Sequence, residues 1–347
     1  MKLKSSIVGV VVLLGVLAAS AGLAGAAGSL RIFWVDVEGG AATLIVSPAG
    51  ESVLIDAGNP GARDARRIHK VATQAAGLSR IDHLLVTHFH GDHFGGVADL
   101  TRLMPVGALY ERDLASAPDR ERAQAELGAY KAAPIAGRVR IAPGDRLPLK
   151  QAAGTPALSL LVLGAEGRFA KGPQARSNSA LCASLEPKPT DESDNRNSVV
   201  SRLRFGGFDF FDGGDLTWQA EADLACPEDG TGGPVDVAQV NHHGLDTSNN
   251  PVLFRTLRPA VVVVNNGPRK GNEPATFALL QGLPGRPAVY QVHRNLRSPE
   301  SNAAAEHIAN EEEDCAAHFI RLTVDAKAGS YEVWVPSTGH RKAYAVR

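Results

Sequence analysis

Thr87-His88-Phe89-His90-Gly91-Asp92-His93-Phe94-Gly95-Gly96 is the stretch on which the reading of this chain turns. Three histidines and one aspartate fall between positions 88 and 93, directly after the strand-like run His83–Thr87. Residues two apart on a strand end project to the same side, which sets His88 beside His90. Asp92 and His93 then fall on the first turn of a helix expected over 92–103. One loop can thus address two cations, one through His88 and His90, the other through Asp92 and His93. Imidazole nitrogen and carboxylate oxygen suit zinc at about 2.0–2.2 Å. Gly91, Gly95 and Gly96 permit the tight backbone that such closely spaced ligands demand. A chance histidine-rich loop would not hold four ligand groups at this spacing between a strand and a helix.

Two later stretches have the same character. In Phe210-Phe211-Asp212-Gly213-Gly214-Asp215-Leu216, Asp215 lies between a strand and a helix expected from Thr217. A dinuclear centre needs further groups, and Asp215 is the candidate, with Asp212 as its rival and a plain Gly-Asp turn as the alternative. In Val235–Gly244 an apolar strand runs into His242 and His243. One of these is read as a ligand or proton donor and the other as its support; the residues do not say which. His293 ends an apolar run, Ala288–Val292, either as a substitute ligand or as a loop histidine.

Around these stretches, residues 30–56 form an expected three-strand meander, and 62–77 and 113–131 expected helices. Strands are expected on both sides of Gly144-Asp145, at Leu158–Leu163, at Ser198–Phe205, at Phe208–Asp212 and at Val261–Asn265. Helices are expected at Thr217–Leu224 and Pro274–Gln281. Residues 164–196 show no period and suggest a long loop over a site. A β-hairpin is expected in the last segment, 317–347. Strands alternating with helices imply layered sheets with helices outside.

The chain has 347 residues, with 36 basic and 37 acidic side chains. That balance speaks against a non-specific nucleic-acid binder, which carries a clear basic excess. Lys2, Lys4, the apolar run Ile7–Ala19 and the small residues Ala24-Gly25-Ala26-Ala27 have the layout of a secretory signal peptide. Cleavage after residue 27 would leave one domain, 28–347, secreted or periplasmic, with no stable membrane association. Cys182, Cys226 and Cys315 would then sit where one disulfide can persist, with its pairing open.

The histidine stretch resembles the His-x-His-x-Asp-His signature of the metallo-β-lactamase-fold superfamily. The resemblance implies an α+β fold, a four-layer αββα sandwich, with a dinuclear metal site at one sheet edge. It also implies that Asp56, in Leu54-Ile55-Asp56-Ala57-Gly58, is the buried aspartate such proteins carry ahead of the histidines. No histidine occurs between His93 and His242, where many members place a further ligand. Asp36-Val37-Glu38-Gly39-Gly40, Asn195-Arg196-Asn197-Ser198-Val199-Val200 and Asn241-His242-His243-Gly244, in that order, look like the hydrolase domain of ComEC-type competence proteins and their free-standing relatives. That branch implies phosphodiester hydrolysis. Leu245 stands where relatives often have serine, and Asn272-Glu273-Pro274 where they often have Gly-His-Pro.

The expected metal ligands are therefore His88, His90, Asp92, His93, Asp215, His242 and His243, around two divalent ions, zinc first and manganese second. Asp92 is the expected catalytic residue, orienting water or moving its proton. Asn195 and Asn197 are candidates for substrate contact or for structural hydrogen bonding. The expected substrate is a small-molecule or nucleic-acid phosphoester. A lactone or other carbonyl substrate, a β-lactam included, is the alternative on the same metals. A non-catalytic metal-binding protein is the third.

Overall fold

A computed structural model describes residues 28–118, 124–170, 177–226 and 228–347. The expected signal peptide lies outside the described residues, as do 119–123 of the expected helix 113–131 and 171–176 of the expected loop 164–196. Among the described residues no helix is long and apolar enough to cross a membrane.

The strands are Leu30–Trp34 (β1), Thr43–Val46 (β2), Ser52–Ile55 (β3), Ile81–Leu85 (β4), Val106–Glu111 (β5) and Gly137–Arg140 (β6), then Leu158–Ala165 (β7), Arg168–Phe169 (β8), Val200–Phe205 (β9), Phe208–Asp212 (β10), Val237–Gln239 (β11), Val261–Val264 (β12), Ala288–His293 (β13) and Ile308–Asn310 (β14), and finally Ile320–Val324 (β15), Ser330–Val335 (β16) and His340–Ala345 (β17). They form two sheets, ordered β17-β16-β15-β1-β2-β3-β4-β5-β6 and β14-β13-β12-β11-β10-β9-β7-β8.

Side-chain alternation explains why the sheets stack. Leu30, Ile32 and Trp34 of β1 point into one core with Leu203, Phe210, Val261 and Val263 of the other sheet. Phe33 of β1, with Leu44 and Leu54, points the opposite way, against Ala65, Ile68, Val97 and Leu100. Those residues belong to the helices Ala62–Lys70 (α1) and Val97–Leu103, which covers the same face. On the far sheet Phe211, Ala238, Val262 and Val264 pack under Leu224, Leu253, Leu257 and Leu280, from the helices at 218–225, 251–257 and 274–282. The result is helix, sheet, sheet, helix. Val261-Val262-Val263-Val264 is buried on both faces, as a central parallel strand must be.

Strands β3, β4 and β5 are parallel to one another, as are β10, β11, β12 and β13. Their carboxyl ends open on the loops that hold Asp56, His88–His93, Asp215, His242–His243 and Asn265–Lys270, the place where ligands bind in open sheets of this kind.

Local differences from expectation have physical causes. The helix expected over 92–103 is two pieces, Gly91–Phe94 (α2) and Val97–Leu103 (α3), separated by Gly95-Gly96. That break lets the chain press on the Ala57–Pro60 loop: a Cβ on Gly96 would sit 2.1 Å from Ala57 O. Beyond Gly144-Asp145 the chain makes a single bridge, Arg146 to Leu161, rather than a strand. The terminal hairpin is a three-strand meander, because His340–Ala345 adds a polar edge strand to β16.

Candidate metal centre

Each stretch reaches the site by an abrupt turn at a strand end. Asp56 leaves β3 with φ 61°, and His242 and His243 leave β11 with φ 51° and 56°. Non-glycine residues in this region cost of order 1–3 kcal/mol each and persist where the surroundings require them. Here the consecutive left-handed residues send the two imidazoles to different partners.

The buried His243 ring brings Nε2 to 3.3 Å from His93 Nε2, and to 3.3 Å from both Asp92 Oδ2 and Asp215 Oδ2. His93 Nε2 lies 3.1 Å from Asp215 Oδ2 and 3.7 Å from Asp92 Oδ2. The donors of Asp92, His93, Asp215 and His243 all fall within 4.8 Å of one another. Ligands about 2.0–2.1 Å from a tetrahedral zinc stand about 3.3–3.4 Å apart, so this donor set fits a divalent ion.

A second group meets the same aspartate. His88 Nε2 is 3.1 Å from His90 Nδ1 and 3.9 Å from Asp215 Oδ2. His242 Nε2 is 3.6 Å from Asp215 Oδ2 and 3.3 Å from Asn195 Nδ2. Ser248 Oγ and Thr247 Oγ1 stand at 3.1 and 3.2 Å from the other ring nitrogen of His242. All seven expected residues are thus brought together, with Asp215 at their centre. Asp212 is buried, accepts from Gly214 N at 2.9 Å through Oδ1, and leaves Oδ2 without a hydrogen bond among the described residues. Asn197 turns to Asp194 instead, at 3.3 Å. His293 joins Asp36, not this group.

A surrounding shell holds the rings. Asp56 accepts from Thr87 N at 2.8 Å, from Thr87 Oγ1 at 2.7 Å and from His93 Nδ1 at 2.7 Å. Such carboxylate–imidazole contacts fix the tautomer that leaves Nε2 free for a metal. Asn265 O lies 3.3 Å from His243 Nδ1 and does the same there.

Three contributors escaped the sequence. Lys270, after β12, forms a close ion pair with Asp92 Oδ2 and stays partly exposed. Asp194 accepts from Phe89 N at 2.8 Å, between the two histidines of the first pair. Arg112 pairs with Asp194 and lies over the Phe89 ring at 4.8 Å. Nothing local marks them, since their partners are distant in the chain.

The charges suit a cation. Burial works to raise Asp215, but His243, His93 and His242 overturn it and hold the carboxyl well below the usual range. Asp92 is lowered in the same way, burial being outweighed by His93, His243 and Lys270. Burial pushes His88 well below the usual histidine range and His242 down to about 4. Burial also opposes charge on His93, yet Asp215, Asp56 and Asp92 hold it well above the usual range. The two carboxylates are thus held toward their ionised form and His93 toward its charged form, the electrostatic setting of a site whose carboxylates face a cation.

Residues 35–165 match the sequence profile of the Metallo-beta-lactamase superfamily. Together with the helix–sheet–sheet–helix layering and the histidine loop at the sheet edge, that decides the architecture.

The chain has the metallo-β-lactamase fold.

Curated proteins share parts of it. A lactamase-like protein notP of Aspergillus sp. is 36% identical over 76 residues, 21% of this chain and 23% of that protein. An atrochrysone carboxyl ACP thioesterase of Passalora fulva is 39% identical over 66 residues, 19% of each chain. A metal-dependent hydrolase of Cupriavidus taiwanensis is 37% identical over 81 residues, 22% of this chain and 25% of that one. The chain thus spans a quarter or less of the length of these relatives.

Proposed function

We propose that this chain is a metal-dependent hydrolase that acts on phosphoester or phosphodiester bonds, exported through residues 1–27, on the ComEC-type branch of the fold. One observation carries the hydrolase reading. Asp215 Oδ2 stands 3.1–3.9 Å from imidazole nitrogens of His88, His93, His242 and His243, a carboxylate shared between two donor groups. His93, His243 and Asp92 would hold one ion, His88 and His90 the other, and Asp215 both. A bound divalent ion supplies a Lewis acid and lowers the pKa of water toward about 7.

The chain's own groups do the rest. Asp92, ionised and held by Lys270, is placed to accept a hydrogen bond from an attacking water and orient it. His242, whose Nε2 accepts from Asn195 Nδ2, borders the second donor group and positions that amide beside Asp215. Lys270, partly exposed beside Asp92, presents positive charge to an incoming anion, which favours a phosphoester. The order of motifs from Asp36 to Gly244 supports the same branch.

The second reading is carbonyl hydrolysis, of a lactone, β-lactam or thioester. It is supported by the names of the relatives, a thioesterase and a lactamase-like protein. Purified protein with zinc or manganese, offered bis-nitrophenyl phosphate, plasmid DNA, a lactone, nitrocefin and an acyl thioester, separates the readings. Turnover of the phosphodiester above the others, lost in His88→Ala with His90→Ala, is expected. Activity that survives that double substitution overturns the metal-dependent hydrolase.

A further inference from the structure

Asp36 opens the Asp36–Gly40 stretch and His293 ends an apolar run, and the fold brings them together with Cys315. Asp36 follows β1, His293 ends β13, and Cys315 lies in the loop between β14 and β15. His293 Nε2 is 2.7 Å from Asp36 Oδ1. Cys315 Sγ is 3.3 Å from Asp36 Oδ2 and 3.9 Å from His293 Nε2. The three donor atoms lie within 4.8 Å of one another, and none of them belongs to the Asp215 group.

Two other roles fit poorly. A nucleophilic Cys-His-Asp relay needs the carboxylate on one ring nitrogen and the thiol on the other. Here Asp36 and Cys315 both face Nε2, while Nδ1 is buried with no hydrogen-bond partner among the described residues. A disulfide is excluded because Cys182 and Cys226 pair with each other, leaving Cys315 free. Three different donors gathered within 4.8 Å of one another are instead the arrangement of a ligand sphere.

We propose that Asp36, His293 and Cys315 form a second cation site, separate from the Asp215 centre, that takes a zinc-like divalent ion.

A sulfur, an imidazole nitrogen and a carboxylate oxygen together prefer zinc over harder ions such as magnesium or calcium. Three protein ligands leave a fourth position for water. Binding breaks the Cys315 S–H bond, forms a sulfur–metal bond and releases that proton to solvent. The Nε2 proton of His293 moves to Nδ1, so the ring stays neutral. Asp36 is already oriented, because Arg67 Nη1 holds its Oδ2 at 3.0 Å. The Arg67 charge is balanced in turn by Glu38 at 2.7 Å. Asp36 and His293 are fully buried and Cys315 is half-buried, so the ion enters from the cysteine side. Filled, the site would clasp β1 of one sheet to β13 of the other.

Cobalt is the probe, because the Asp215 group contains no sulfur. Chelator-treated protein titrated with cobalt should develop a near-ultraviolet thiolate-to-cobalt charge-transfer band. Asp215→Asn should keep the band, which separates this site from the hydrolytic centre. Cys315→Ser should lose the band and one equivalent of bound metal, with circular dichroism unchanged. Should that variant fail to fold, the wild-type thiol decides: zinc should slow its reaction with an aromatic disulfide reagent at least tenfold, and chelation should restore it. Saturating cobalt without a band, a band that survives Cys315→Ser, or thiol reactivity indifferent to zinc each overturns the proposal.

Discussion

Asp56 and His93 meet at 2.7 Å, Oδ2 to Nδ1, with the same carboxylate also accepting both polar hydrogens of Thr87. The aspartate at the end of one strand thereby sets the tautomer of a histidine that follows the next. In Asp56→Asn, Oδ1 can keep Thr87 N, but the amide presents N–H to His93 Nδ1. The ring must then carry its proton on Nε2, the atom that faces Asp215 and His243. We expect metal affinity to fall about 10–100-fold while the fold persists. Zinc titration followed by calorimetry checks this. Affinity equal to wild type would mean that Asp56 only shapes the turn.

That relationship also marks what could be seen in the sequence. The histidine loop, Asp215 and His242–His243 were legible because each is a dense local pattern at a strand end. The layering was legible because β1, β7 and β12 are apolar runs. Lys270 was not: it reaches Asp92 across 178 positions, and a lone loop lysine has no pattern. The same holds for Asp36 and Cys315, 279 positions apart. β17, His-Arg-Lys-Ala-Tyr-Ala, escaped because an exposed edge strand carries charge rather than apolar alternation. The helix Pro251–Leu257 escaped although Asn250 caps it, accepting from Val252 N at 3.0 Å, and Pro251 opens it. Those start signals stood on a segment too short to show a period.

Lys270 offers a way to separate substrate charge from chemistry. Lys270→Met removes the cation beside Asp92 and nearly preserves the stem. KM for bis-nitrophenyl phosphate should rise about tenfold, equivalent to about 1.4 kcal/mol of lost attraction. KM for an uncharged lactone should not move. Parallel Michaelis curves on the two substrates test this, and an equal rise on both would assign Lys270 to holding Asp92 alone.

Glu221 gives stability a specific pH dependence. Burial pushes its carboxyl up to about 7, although Asn250 N, Asn241 Nδ2 and Asn249 N donate to it. The folded pKa is raised, so an unfolded chain loses this proton first as pH rises. The contribution is fully present below about pH 4.5 and is lost as pH climbs through about 7, a swing of about 3 kcal/mol. In Glu221→Gln the swing should vanish. A constant offset should replace it, because the new amide faces the Asn250 N–H. Denaturant unfolding of both chelated proteins from pH 5 to 8 reads the difference, and parallel curves would refute the assignment.

The Cys182–Cys226 disulfide ties the 164–196 segment to the end of the helix Trp218–Ala225, closing a loop with a sequence separation of 44. Its entropic contribution should be about 2–4 kcal/mol. The same segment ends at Asn195, which touches His242, and Asp194, which holds Phe89. Reduction should therefore lower Tm and also loosen the centre. Cys182→Ser with Cys226→Ser should unfold at lower temperature and bind metal more weakly, whereas Cys315→Ser should leave Tm of the chelated protein near wild type. Differential scanning calorimetry with and without reductant measures the first effect, and zinc titration of the double variant the second. A double variant with wild-type zinc affinity would show that strand β9 and the Arg112–Asp194 pair hold Asn195 in place without the staple.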